Sequence, residues 1–144
     1  MKIQLIPVSA WTEKMAIDSN EKLEAIKHDG NQADDWKIYQ SARRKSAILF
    51  NEKVRRFDPV FIHTDELLEL ELSVFNELFN DDLGLGGWRN INNAHYRLID
   101  EALSKITNQG KRVLITFGAG HKGWLRNKLK ARNDIALKEL IDVL

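Results

Sequence analysis

Arg112-Val-Leu-Ile-Thr-Phe-Gly-Ala-Gly-His-Lys-Gly-Trp124 holds the residues of this chain best placed to do chemistry. A β-branched, apolar run from Val113 to Phe117 stops at Gly118-Ala-Gly120, and His121 follows at once. The run reads as a buried strand, and the glycines as a tight turn at its carboxyl end. In open α/β sheets that edge is where ligands collect. The turn delivers His121 to the first turn of a helix carrying Trp124, Leu125 and Leu129. There the positive end of the helix dipole disfavours an imidazolium. A neutral imidazole is what a metal ion or a general-base role requires. The plainer reading gives the glycines to turn geometry and the histidine to helix capping.

Arg89 and Asn90 are the second group, placed just after Gly84, Gly86 and Gly87 at the start of a helix. An arginine fork suits bidentate contact with carboxylate or phosphate, and a helix amino terminus adds N–H donors. The plainer reading has Arg89 tie the glycine loop down through backbone carbonyls. Lys122 is the third. A cation at a helix start opposes the dipole by ~0.3–1 kcal/mol, and such local conflicts cluster at functional sites. Beside Gly118 and Gly120, Lys122 would suit a small anion held by backbone N–H groups. The glycine spacing is not that of a P-loop.

A metal at His121 needs partners, because zinc sites use three or four protein ligands. The candidates are His95, Asp100 and Glu101, although His95 lies on the apolar side of its helix and reads better as a core histidine. His63 with Asp65 and Glu66 offers ligand types at close spacing, yet the two acids read better as first-turn residues of a capped helix. No Ser-His-Asp or G-x-S-x-G arrangement occurs. Lys122, Arg126, Lys128, Lys130 and Arg132 lack interleaved exposed aromatics, so they read as a solvated face and nucleic acid is not an expected partner.

These residues must be positioned by a mostly helical chain. Residues 2–8 alternate like a first strand. Helix is expected over Thr12–Lys27, interrupted near Asp18, and over Ala33–Phe57, with Trp36, Tyr39, Ile48, Leu49 and Val54 on its apolar side. Asp58-Pro59 ends that helix. Val60 to Ile62 reads as a short strand or apolar anchor. Thr64 caps a third helix to Phe79, buried through Leu67, Leu70, Val74 and Leu78. A helix from Trp88 to Thr107 buries Ile91, His95, Leu98, Ala102 and Ile106, and Asn108-Gln-Gly110 stops it. After strand 112–117 come a helix over Gly123–Arg132 and a final strand or short helix from Ile135. Two strands separated by helices favour parallel pairing through crossovers. The expected fold is therefore α/β and helix-rich, with a small, mostly parallel sheet of two to four strands flanked by helices.

The 144 residues suit a single domain. A hydrophobic share of 43% and a charged share of 30% place the chain among soluble globular proteins. The net charge of +1 gives no electrostatic case for nucleic acid or an anionic membrane surface. Zero cysteines exclude disulfides, thiolate metal sites and a cysteine nucleophile. No run approaches the ~20 apolar residues of a membrane span, and a cytoplasmic setting is expected.

The order Trp88-Arg89-Asn90-Ile91, a helix, Arg112-Val-Leu-Ile, then Gly118-Ala-Gly-His121 and Leu125 resembles the carboxyl-terminal half of a bacterial family. That family is the TraB/PrgY/GumN-like proteins, related to the Tiki-type metal-dependent peptidases. The resemblance covers residues 88–130 and is only topological elsewhere. The family pattern carries an earlier Gly-x-x-His copy and an acidic residue in its amino-terminal half. Of the four histidines here, only His121 follows a glycine at that spacing. The resemblance thus implies half of a composite site, completed by a second copy or by an amino-terminal half. It implies metal-dependent hydrolysis of a peptide or amide, with His121 as ligand to a divalent metal. Arg89 would orient the substrate or stabilise developing negative charge. The alternative is a non-catalytic domain that binds a small anion or another protein.

Overall fold

The computed structural model describes residues 4–53 and 62–138, with side chains described for 4–51 and 67–138. Five α-helices carry these residues: α1 (Glu13–His28), α2 (Ala33–Lys53), α3 (Ile62–Phe79), α4 (Trp88–Ser104) and α5 (Ala119–Lys130). Single 3₁₀ turns at Gly30–Gln32 and Gly84–Gly86 bend the chain between α1 and α2 and ahead of α4. Thr12 caps α1 by accepting the Met15 N–H at 3.2 Å. Asp29 accepts the Asn31 N–H at 2.9 Å and turns the chain into α2.

The core forms in two places. Ile26, Phe79 and Leu83 are buried together, with Leu23, Trp36, Tyr39, Phe75 and Leu78 packed round them. Phe75 and Phe79 lie one helical turn apart, with ring centroids 5.5 Å apart, and Tyr39 of α2 meets Phe75 at 5.0 Å. The Ser46 hydroxyl donates to the Leu67 carbonyl at 2.8 Å and pins α2 to α3. The second cluster joins α4 and α5 through Ile99, Leu103, Leu125 and Leu129. Val8, Ile115, Phe117 and Ile135 pack on it from non-helical segments. Arg132 fastens its far edge, pairing with Asp100 of α4 and with Asp134, whose other contact is the Thr107 hydroxyl at 2.8 Å.

The α/β expectation is corrected: the described residues are all-α, with no strand and no sheet. Residues 4–8 and 112–117 are non-helical, but no ladder joins either to a neighbour. Period-2 alternation reports which face is buried, whereas a strand also needs a partner backbone. The expected break near Asp18 is absent, because Asp18 instead pairs with Lys22 at 2.8 Å along a continuous α1. α3 begins at Ile62, so Thr64 lies within the helix and not at its cap. Its core face carries Phe75 and Phe79, while Leu70 is 47% exposed. α5 begins at Ala119, four residues before the expected Gly123. Val54, Asp58-Pro59, the first two residues of Val60–Ile62 and the chain beyond 138 lie outside the described residues.

Asn80 organises the entry to α4. Its side chain is 2% exposed, and its Oδ1 accepts the backbone N–H groups of Arg89 at 2.9 Å and Asn90 at 3.3 Å. It thereby satisfies donors that a helix start leaves without partners. Gly87 sits against this cap. A Cβ there would stand 2.1 Å from the Asn80 carbonyl oxygen, while its φ of −59° suits any residue. Space alone therefore demands glycine. Gly87→Ala is expected to lower unfolding free energy by about 1–3 kcal/mol. Gly30→Ala, where a Cβ meets nothing within 4 Å, should stay within about 0.5 kcal/mol. Urea unfolding of both variants checks this, and equal effects would contradict it.

Candidate functional site

The residues singled out around Gly118–His121 converge where α5 begins against α4. Gly118 precedes α5 with φ −58° and ψ 142°, and a Cβ there would meet only His121 Cδ2 at 3.7 Å. Neither conformation nor space requires glycine at 118. Gly120 differs: a Cβ would lie 3.3 Å from Trp88 Cη2 and 3.5 Å from Leu72 Cδ1. The first turn of α5 thus approaches α4 and α3 closely, and Gly120, expected in a tight turn, lies within the helix.

That approach lays His121 on Trp88, with ring centroids 4.6 Å apart and planes 19° from parallel. His95 meets His121 edge-on at 5.1 Å, and Phe117 closes the cluster at 5.0 Å from His95. Asn92 is fully buried and clamps the group. Its Nδ2 donates to the Trp88 carbonyl at 2.9 Å, so its Oδ1 is left facing His121 Nδ1 at 2.8 Å. An amide oxygen only accepts, so His121 must present Nδ1–H and keep Nε2 bare. His95 is the reverse. Its Nδ1 accepts the Ala10 N–H at 2.9 Å, which places the proton of the neutral ring on Nε2. Burial lowers the pKa of both histidines, that of His121 to about 4 through desolvation and then the neighbouring His95.

Arg89 and Asn90 have work in the loop. The Asn90 side chain donates to the Gly84 carbonyl at 2.7 Å, and the Arg89 guanidinium sits 3.3 Å from the Asp81 carboxylate. The loop is tied through a backbone carbonyl as the plainer reading held, but by Asn90 in place of Arg89. Lys122 is exposed on the first turn of α5. In the basic run, Arg132 leaves the solvated face, since its side chain is only 10% exposed and paired with two aspartates.

The metal-binding expectation is corrected. Among the described residues, no group of three or more histidine, aspartate or glutamate side chains could hold a metal ion. His121 keeps a bare Nε2, but His95 Nδ1 is committed to Ala10, Asp100 is committed to Arg132, and Glu101 lies 4.0 Å from Arg97, so the three ligands a zinc ion needs are not assembled. The donor set does not fit the ion that the resemblance implies. The side chains of His63, Asp65 and Glu66 lie outside the described residues. Sequence reasoning missed Asn80 and Asn92. Asn92 had one signal: an amide three residues before His95 on the stripe that buries Ile99 and Leu103.

A histidine whose folded pKa is depressed binds its proton first in the unfolded chain. The stability held in the neutral rings is therefore complete above about pH 6.5 and drains away as pH falls toward about 4. Asp134, held at about 2 by its hydrogen bond to Arg132, does not titrate in that window. The urea midpoint is expected to fall steadily from pH 7 to pH 4.5, with a shallower slope in His121→Phe. A flat profile, or the same slope in the variant, would contradict the buried-neutral assignment.

Comparison with known proteins returned no matching family, no matching curated protein and no matching solved structure. The TraB/GumN-like resemblance therefore rests on residues 88–130 of this sequence. No described helix is long and apolar enough to cross a membrane.

Proposed function

We propose that this chain is the carboxyl-terminal half of a TraB/GumN-like unit and acts as an interaction domain completed by an extended strand. The donor of that strand is a second copy or a complementing amino-terminal half. The observation that carries the reading is segment 112–117. Ile115 and Phe117 turn onto the α4–α5 core, whereas Val113 is 52% and Leu114 is 87% exposed. Among the described residues, no hydrogen bond joins the backbone of this segment to a strand. Leu5 and Ile6, ahead of the core residue Val8, are exposed at 88% and 45%. A β-branched, one-sided segment with open N–H and C=O groups is what strand addition uses.

Phe117 touches both histidine rings, so a strand added along the segment would end beside His121. A second reading, hydrolysis of a peptide or amide by the completed assembly, is favoured by the fixed imidazole with Nε2 bare. Molecular mass in solution, measured across concentration for the parent chain and for Leu114→Lys, tests the main reading. The parent should gain mass with concentration, or bind a short Val/Thr strand peptide, and the variant should do neither while keeping its helical circular dichroism. A parent that stays monomeric and ignores the peptide would overturn it.

A further inference from the structure

Residues 4–10 lie on the α4–α5 core without secondary structure, and only Val8 and Ala10 are half-buried there. Val8 packs on the cluster of Ile99, Leu103, Leu125 and Leu129, while Leu5 and Ile6 are exposed. Among the described residues, one hydrogen bond ties this stretch to the helices: the Ala10 N–H donates to His95 Nδ1 at 2.9 Å. The acceptor is a buried ring nitrogen, and it accepts only while it carries no proton of its own. An imidazolium donates from both nitrogens, which would set two N–H groups against each other at Ala10. His121 responds differently, because a proton there enters at Nε2 and leaves the Nδ1–H bond to Asn92 intact. Three elements pack on the His95 ring. α5 brings His121, residues 112–117 bring Phe117, and the amino-terminal stretch brings the Ala10 N–H. His121 is the titratable group among these, and no carboxylate of the described residues offsets the burial that keeps His95 neutral.

We propose that the Ala10–His95 hydrogen bond is an acid-released latch: a proton on His95 frees residues 4–10 and uncovers the apolar seat of Val8 while the helices stay folded. Burial holds the latched His95 below its ordinary pKa of 6.5, and release returns the ring toward water. Protons therefore favour the released form. The latch is fully closed above about pH 6.5 and opens as pH falls through the depressed value. His121, held at about 4, stays neutral through most of that range. α4 and α5 remain joined by their four buried aliphatic side chains and by the Arg132–Asp100 pair, none of which involves residues 4–10. The surface uncovered lies beside Ile115 and Phe117 on the same core. The latch works with or without a partner strand on residues 112–117.

The test is nuclear magnetic resonance relaxation of the full chain from pH 7.5 to pH 4.5, with the His95 ring titration followed on the same samples. Backbone order parameters of Val8, Ser9 and Ala10 should fall from about 0.85 to below about 0.6, with the midpoint of the His95 ring. The amides of α4 and α5 and the helical circular dichroism should hold over the same range. His95→Asn offers an amide oxygen in place of Nδ1 that does not titrate, so the three residues should stay ordered throughout. Ala10→Pro, outside the helices, removes the N–H and should leave them mobile already at pH 7.5. This second variant decides the matter even where His95→Asn fails to fold. A His95 ring still neutral at pH 4.5, order that persists after it has titrated, or loosening that comes only with loss of α4 and α5 would each overturn the proposal. So would a pH dependence like that of the parent in either variant.

Discussion

The buried carboxamide of Asn92 is the constraint on which the rest of the site depends. Both of its ends are used, one on the Trp88 carbonyl of its own helix and the other on the His121 ring of α5. Removing either partner would leave a polar atom stranded at a position with no solvent access, a penalty of ~1–3 kcal/mol. The clamp does more than hold two helices. It fixes which nitrogen of His121 bears hydrogen, and it presses the ring flat on Trp88. Gly120 packs closely on Trp88 and Leu72 beside that stack, where a Cβ would stand 3.3 Å from Trp88 Cη2 and require the indole to shift by a few tenths of an ångström.

Charge is kept out of this cluster by geometry. The two histidines hold opposite tautomers, and their rings meet edge-on at 5.1 Å. Burial alone lowers the pKa of His95, and His121 is lowered first by burial and then by the charge that His95 would carry beside it. Phe117 joins the cluster to the exposed run before it. A partner strand laid on residues 112–117 would therefore act on the site through a side chain already in contact with both rings. The Ala10 bond to His95 brings the amino-terminal segment into the same unit.

Much of the helical plan was legible in the sequence, because capping and spacing are local. The helix read from Thr12 is α1, with Thr12 itself as its cap, Leu125 and Leu129 are the buried face of α5, and Ile91 and His95 lie on the buried side of α4. The α4 stripe then slips by a residue, burying Ile99 and Leu103 where Leu98 and Ala102 were expected, while Ile106, just past the helix, packs on the same core as read. At 3.6 residues per turn neighbouring stripes overlap, and only the facing helix decides between them. The sheet failed for a different reason. The alternation of Leu114 out, Ile115 in and Phe117 in is present, yet pairing is a property of two segments and cannot be read from one. Asn80 and Asn92 were hidden because an asparagine becomes a clamp or a cap only through the backbone brought to it from elsewhere.

The most direct measurement is a long-range nitrogen–proton correlation spectrum of the histidine rings near pH 6, on the parent chain and on Asn92→Leu. Two neutral rings of opposite tautomer are expected, His121 protonated at Nδ1 and His95 at Nε2, with the His121 pattern averaging between tautomers once Asn92 is gone. A His121 ring that is substantially protonated near pH 6, or that keeps its Nδ1–H form in Asn92→Leu, would contradict the claim that one buried amide sets the state of the site.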